Sequence, residues 1–463
     1  NGKLTVNSAD EVSLTDRLVL NADALLLGTI TPNGGGISFN SGGSQTIDGS
    51  SGAEIRLGNA IVDNGQGNTT VTIASTSAPV ITQGLTLKSG TELNLGRRLE
   101  INGDFTNTGG TFTFTDEATE ETIALTGGSD QTINSSSDIT LATLEIDNGR
   151  SQSLTAPDIN ITDGSLISVS EQLIMTSGRL QTSNDLTLEP GARIIYNSTD
   201  GDSDGTLDSY ITDGVDVNRS LRGSSDWVFL APSLNTTYDE LLRQGGENQL
   251  WIQGPDGSNV PNPNDPTDVN LYYYDESAPG SKGNGWTTVG EESDDGSTFS
   301  GGGSMSTTVP KGLGMIVYPF LDDNNDGSVS ASENFPKNID AVGTPRFSTT
   351  VDLPVQATDT DGDGSIGDVN SDGEEDEGWN LVGNPYLNVI DWDGLTKDNL
   401  QPVVYIYDSG NNGYRSYNGS STEGTEFTEQ GYIAPLQAFF VNATSSSPGL
   451  TIDIADAQVP STS

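Results

Sequence analysis

The sequence predicts an all-β protein: an N-terminal parallel β-helix (solenoid) over 1–212, followed by two related β-sandwich lobes over 213–345 and 346–463. Three observations predict it. Short apolar/polar alternations separated by Gly, Asn and Asp turns fill the first 200 residues, a long-period repeat runs through them, and a second, aromatic-rich repeat occupies the rest.

The solenoid comes first. "SGGSQTIDGSSGAEIRLGNAIVDNG" (41–65) echoes "TGGSDQTINSSSDITLATLEIDNG" (126–149), aligning Gln45 with Gln131 and Ile47 with Ile133, and both close on Asp-Asn-Gly. Around them recur "LVLNADALLL" (18–27), "LTLKSGTELNL" (85–95), "LIMTSGRL" (173–180) and "LTLEPGARII" (186–195), each a strand, a short turn and another strand. No helical periodicity interrupts 1–198. One such rung cannot bury its Leu, Ile and Val alone, whereas stacked rungs share a core. The Asn-Gly and Ser-Gly pairs at 64–65, 148–149, 89–90 and 177–178 suit turns that need positive φ. A sandwich of hairpins is the alternative.

The lobes follow. All five Trp lie beyond residue 213. "DWVFLAPSLNTTYDELL" (226–242) matches "GWNLVGNPYLNVIDWDGL" (378–395). "LYYYDESAPGSKGNGWTTV" (271–289) matches "VYIYDSGNNGYRSY" (404–417), and "VPKGLGMIVYP" (309–319) matches "IAPLQAFFVNA" (433–443). Three blocks in the same order twice imply two related β units. Only 238–245 and 392–397 read as helical turns.

Composition narrows the function. With 18 Lys+Arg against 66 Asp+Glu the formal charge is −48. Such a chain repels nucleic acid and anionic membranes, attracts cations, and repels itself unless salt or metal screens it. There is no Cys and no His, which excludes disulfides, thiolate or imidazole metal sites and a His-based catalytic triad. No apolar run is long enough for a membrane span, so no membrane insertion is expected. No leader is recognisable, and the sequence is expected to begin after processing, in an exported protein.

The acidic residues gather in calcium-loop patterns. In "DDNNDGSVSASE" (322–333), Asp322, Asn324, Asp326, Ser328, Ser330 and Glu333 occupy positions 1, 3, 5, 7, 9 and 12 of an EF-hand loop, with Gly327 at position 6. Pro319 and Pro336 argue against flanking helices, leaving the loop without the hand. In "DTDGDGSIGDVNSDGEEDE" (359–377), Asp359, Asp361, Asp363 and Ser365 open one loop, and Asp368, Asn370 and Asp372 open a second. In "DGDSDGTLDSYI" (200–211), Asp200, Asp202, Asp204, Thr206 and Asp208 open a third, which needs another ligand such as Asp213 to close it. Calcium is the expected cofactor: it would turn mutually repelling carboxylates into cross-links at loops and joints.

The tandem loops of 359–377 resemble thrombospondin type 3 calcium repeats. The Gly-Gly-x-x-Gln-Thr-Ile blocks, the Leu-x-Leu rungs, "GWNLVGNPYLNVIDWD" and "YIAPLQAFFV" together resemble large cell-surface proteins of the Bacteroidota exported by the type IX route. The resemblance implies an extracellular surface or adhesive protein without catalytic signature. It also implies a C-terminal sorting domain, and none is recognisable before Ser463.

The functional expectation is a non-catalytic, calcium-stabilised extracellular structural protein, a subunit of a head-to-tail surface filament whose partner is a second copy of itself. The filament reading rests on strand-like sequence at both ends, 3–20 and 448–459. The alternative is a monomeric surface adhesin that binds glycans or other cells. Trp251, Trp286 and Tyr272–Tyr274 are the candidate sugar-stacking platform, and Asn68, Asn160, Asn235 and Asn442 sit in glycan-acceptor triplets. A polysaccharide-active β-helix enzyme is the third reading. Its candidate acids are Asp391 with Asp393, or Asp116, Glu117, Glu120 and Glu121. For these acids a non-catalytic role is the stronger reading, because the counterpart of the 391–393 block keeps only Asp239 and the 116–121 run looks like a solvated turn, so no catalytic residue is assigned.

Overall fold

The computed structural model describes the chain except residues 1–3, 7–10, 27–28, 41, 50–54, 64–67, 76–78, 115–120, 150–158, 201–202, 222–226, 243–249, 251–269, 289–306, 320–336, 370–374, 409–412, 420–430 and 460–463. The described chain forms two compact units. The first is Asn1–Asp202 with Leu207–Asp216, and the second is Ser203–Thr206 with Val217–Ser463.

The first unit is a three-faced parallel β-solenoid. One face stacks Leu4–Val6, Ala24–Leu26, Ser44–Gly49, Thr69–Ser75, Thr91–Leu95 and Thr111–Phe114 in sequence order. A second begins with the pair Glu11–Leu14 and Thr29–Pro32 and continues through Ile55–Arg56, Val80–Thr82, Leu99–Ile101 and Thr122–Leu125. The third stacks nine described strands, from Arg17–Leu20 to Tyr210–Ile211. The described strands of this unit pair in parallel with counterparts from neighbouring turns, so the chain passes from face to face, and among the described residues of this unit no strand pair forms the hairpins of the alternative reading. Ile139–Asp147 and Ile167–Ser177 each run through two registers, with an irregularity after Leu141. Their first halves pair with each other and then with Leu186–Leu188, while their second halves extend the stack from Thr122–Leu125 to Arg193–Tyr196.

Alternation fills the interior. In Thr91–Leu95 residues 91, 93 and 95 are buried and 92 and 94 half-buried. Stacked Val71, Ile73, Leu93, Leu95, Leu99 and Ile101 are essentially inaccessible, and each buried side chain of this size stabilises by about 1.5–3 kcal/mol. Three of the strand–turn–strand segments read from sequence are corners between faces, whereas in 186–195 Leu186–Leu188 and Arg193–Tyr196 both pair with Ile167–Ser177 on one face. Gly90 and Gly178 turn two of the corners with φ of 73° and 88°, a conformation that strains residues with a Cβ.

The aligned glutamines do the same work at two levels. Gln45 donates through Nε2 to the carbonyls of Leu20 and Ala22, each at 3.0 Å. Gln131 donates to those of Ile101 and Gly103 at 2.8 and 2.9 Å. The next amide, Thr46 or Thr132, donates to Asp23 or Asp104 of the turn below. The repeated Gln-Thr-Ile is therefore a buried staple between successive turns, satisfying carbonyls that a corner would otherwise orphan.

The second unit contains both aromatic repeats. Stretch 213–345 supplies a four-stranded antiparallel sheet in the order Val228–Leu230, Met315–Val317, Leu271–Tyr274, Trp286–Thr288. Stretch 346–463 supplies one in the equivalent order: Trp379–Gly383, Ala438–Asn442, Val404–Asp408, Gly413–Tyr417. The two sheets share one core, in which Phe229, Ala231 and Ile316 of the first pack with Leu381, Ala438 and Phe440 of the second. Buried Asn384 explains the "NPYLN" block: its Nδ2 donates to the carbonyls of Asn388, Ile433 and Ala434, and its Oδ1 accepts from the Tyr386 amide. The expected helical turns occur at Tyr238–Leu242 and, as a 3₁₀ turn, at Trp392–Gly394. The strand near the C-terminus, Gly449–Asp453, is central in a three-stranded sheet between Thr350–Asp352 and Thr396–Asp398. It therefore offers no free edge.

Candidate metal centre

The loop from Asp359 sits in the second unit, and its aspartates hold it closed. Asp359 accepts the Gly362 amide on Oδ1 at 2.6 Å and the Gly364 amide on Oδ2 at 2.8 Å. Asp361 accepts the Asp363 amide at 3.0 Å, and Asp363 accepts both the amide and the hydroxyl of Ser365. Gly362 and Gly364 have φ of 77° and 91°, so the chain can double back tightly enough to gather the side chains. The three carboxylates are exposed, with one oxygen of each within 4.8 Å of the others. The amide at position 6 thus returns to the carboxylate at position 1, and oxygens from positions 1, 3 and 5 converge.

The electrostatics invite a cation. The Asp363 amide pulls the Asp361 carboxyl down, but lost hydration and the neighbouring Asp363, Asp359 and Glu377 outweigh it, and the net shift is upward. Asp363 is held below its ordinary value by the Ser365 hydroxyl and amide. The donor set fits a hard divalent ion: three carboxylates with lone pairs left over and only oxygen available.

Two glutamates, Glu377 buried and Glu276 half-buried, fix the base of the loop. Glu377 accepts the Thr360 amide at 2.5 Å and its hydroxyl at 2.7 Å on Oε1, and the Gly367 amide at 3.1 Å on Oε2. Glu276 accepts the Thr358 and Gly378 amides on Oε1 and the Thr358 hydroxyl on Oε2. Asn442 donates from Nδ2 to the Glu377 carbonyl. Asn442 is 1% exposed, which removes it as a glycan acceptor in the folded chain. No motif in the sequence singles out Glu276 or Glu377; only the position of Glu377 at the end of the acidic run hints at a role.

The other expected ligands are placed as follows. Ser365 caps Asp363 through its side chain, and Asp368 is described while Asn370 and Asp372 lie outside the described residues. The whole 322–333 loop, with Asp322, Asn324, Asp326, Ser328, Ser330 and Glu333, also lies outside them, as does Asp202. Asp204 accepts the Thr206 amide at 2.8 Å, and both belong to the second unit, whereas Asp200 and Asp208 belong to the first. Asp213 accepts the Ser183 amide. Among the described residues, the acidic cluster able to hold an ion is Asp359, Asp361 and Asp363.

Of the carboxylates weighed for catalysis, Asp391 and Asp393 have structural partners. Asp391 caps the 3₁₀ turn through the Asp393 amide, and Asp393 accepts the Tyr417 hydroxyl at 2.7 Å. Asp116, Glu117 and Glu120 lie outside the described residues, while Glu121 accepts the Thr143 amide through its carbonyl. Arg98 pairs with Glu100 and Glu145. Of the aromatic platform, Trp251 lies outside the described residues. Trp286, Tyr272 and Tyr274 pack against the shared core of the second unit. Comparison with protein-family models, curated proteins and solved structures finds no match to this chain.

Proposed function

We propose that this is a non-catalytic extracellular structural protein, braced by calcium and joined head to tail into a surface filament. The observation that supports the reading is the pairing of the first described turn of the solenoid. In its first turn Leu4–Val6, Glu11–Leu14 and Arg17–Leu20 each pair on one side only among the described residues. Three parallel edges in register are a template for further strands, and Val19 on one of them is 50% exposed. In the second unit Trp286–Thr288 and Gly413–Tyr417 likewise end their sheets among the described strands. An edge-to-edge contact between unlike surfaces propagates rather than closes.

Calcium is the ion that best suits the loop. The ligands are flexible, exposed and all oxygen, whereas magnesium keeps most of its water and demands stricter geometry. The ion would be held by Asp359, Asp361 and Asp363, with the Ser365 carbonyl and water completing its shell. It would supply no chemistry beyond neutralising and cross-linking the loop. At −48 the subunits repel one another, so calcium and salt favour assembly.

The test is sedimentation velocity of the intact chain with calcium, beside a Val19→Lys variant. The wild type should form large, calcium-dependent species, and the variant should stay monomeric with unchanged circular dichroism. A wild type that remains monomeric at high concentration in calcium and salt overturns the filament. It leaves the monomeric adhesin as the better account.

A further inference from the structure

A pocket of about 390 Å³ opens in the second unit, lined by Tyr274, Trp286, Trp379, Tyr405, Tyr414 and Phe440, with Lys282 on its rim. The rings form a box. Tyr274, Trp286, Trp379 and Tyr414 stand at 90°, 78°, 87° and 63° to the plane of Phe440, with centroids 5.1–6.1 Å away. Tyr405 leans on Trp379 at 63°. Phe440 is buried, yet the surrounding rings are only partly so and Tyr414 is 54% exposed. An ordinary core would close over rings of this size.

Negative charge lies near the Tyr274 wall of this box. Asp275, Glu276 and Asp376 all act on the hydroxyl of the Tyr274 wall. Asp376 is 8% exposed; its Oδ1 accepts the Lys282 amide, and its buried Oδ2 has no hydrogen-bond partner. Aromatic faces attract cations through the ring quadrupole, best when the cation sheds its water cheaply. A primary ammonium or a metal ion is strongly hydrated and loses more than the rings return. A trimethylammonium group is weakly hydrated, bulky and apolar at its surface, and it matches both walls and field.

We infer that this aromatic box binds a soluble quaternary ammonium compound of the choline type. The inference does not rest on the filament or on calcium. The Lys282 side chain, exposed on the rim, is the one cation among the lining residues and opposes such a ligand.

The test titrates the full chain with choline chloride and with 3,3-dimethylbutan-1-ol, its neutral isostere, by calorimetry and tryptophan fluorescence at low ionic strength. Choline should bind saturably with Kd on the order of 1 mM, and the isostere at least about tenfold more weakly, as expected when the charge contributes. Tyr414→Ala, at an exposed position, should weaken choline binding without changing the circular dichroism, and Lys282→Gln should strengthen it. Equal binding of the two compounds, or weaker binding in Lys282→Gln, overturns the inference. So does saturable binding of a neutral oligosaccharide with none of choline, which would restore the sugar platform.

Discussion

The same substitution at the two glutamates of the loop base should give unequal results. In Glu377→Gln the amide oxygen can keep the Thr360 amide and hydroxyl, but the new NH₂ then faces the Gly367 amide, donor against donor. Reversing the side chain sets the NH₂ against the Thr360 amide, at the 2.5 Å contact. One buried donor is orphaned and two charge-assisted bonds become neutral, a cost of about 2–4 kcal/mol. In Glu276→Gln the oxygen keeps the Thr358 and Gly378 amides, while the NH₂ donates to the Thr358 hydroxyl, which accepts as readily as it donates. Its cost should stay within about 1 kcal/mol. For a unit of this size that is a fall in Tm of roughly 5–15 °C for Glu377→Gln and little for Glu276→Gln. The assay is scanning calorimetry in calcium, resolving the transition of the second unit. The pH dependence adds a sign. Burial raises the Glu276 carboxyl above its ordinary value of 4.5, against the pull of the Thr358 and Gly378 donors. A raised folded-state value favours the protonated acid, so its stabilising share is full below 4.5 and is lost as pH rises through the folded value. The Gln variant should therefore gain on the wild type as pH rises through that window. Equal losses in the two variants at neutral pH would refute the bonding pattern assigned to the loop base.

Further outcomes follow from the same geometry. Saturating calcium at 10–100 times a Kd typical of extracellular loops should stabilise the second unit by about 1.5–3 kcal/mol per site, read as a Tm difference against EDTA, and Asp361→Asn should shrink that difference. Gly103→Ala should destabilise the solenoid by several °C, because its Cβ would sit 1.9 Å from the Gln83 carbonyl oxygen, whereas Gly43→Ala meets nothing within 4 Å and should change little; thermal melts of both variants check this. Glu375 accepts the Trp379 indole N–H through its carbonyl, and Asp376 accepts the Lys282 amide. Chelation should therefore weaken choline binding at the box, measurable by repeating the titration in EDTA.

Much of the fold was legible because its signals are local. Alternation reports one buried face, and the Gly and Asn turns report corners, so the solenoid could be read strand by strand. The repeat of Gln45 and Gln131 was also legible, but its meaning was not. Gln45 lies on the first face and Gln131 on the third, because the motif encodes a staple to the preceding turn and any face can use it. The equivalence of the two aromatic repeats showed in sequence, yet their shared core did not. Which faces meet is settled by Phe229 stacking on Tyr407, 178 residues away in sequence and 5.0 Å in space. Asp359, Asp361 and Asp363 were visible as a spacing, whereas Glu276 and Glu377 act through backbone amides of distant segments and carry no spacing of their own. Trp286 and Tyr274 were visible as candidates. Their partners Trp379, Tyr405 and Tyr414 were hidden because each looks like a core residue of its own strand.

The most direct test of the central claim is electron microscopy of the native protein after dialysis into millimolar calcium, beside a sample in EDTA. The account predicts unbranched fibres in calcium, with an axial repeat of one subunit, and their loss in EDTA and in the Val19→Lys variant. Isolated particles in both conditions would contradict it.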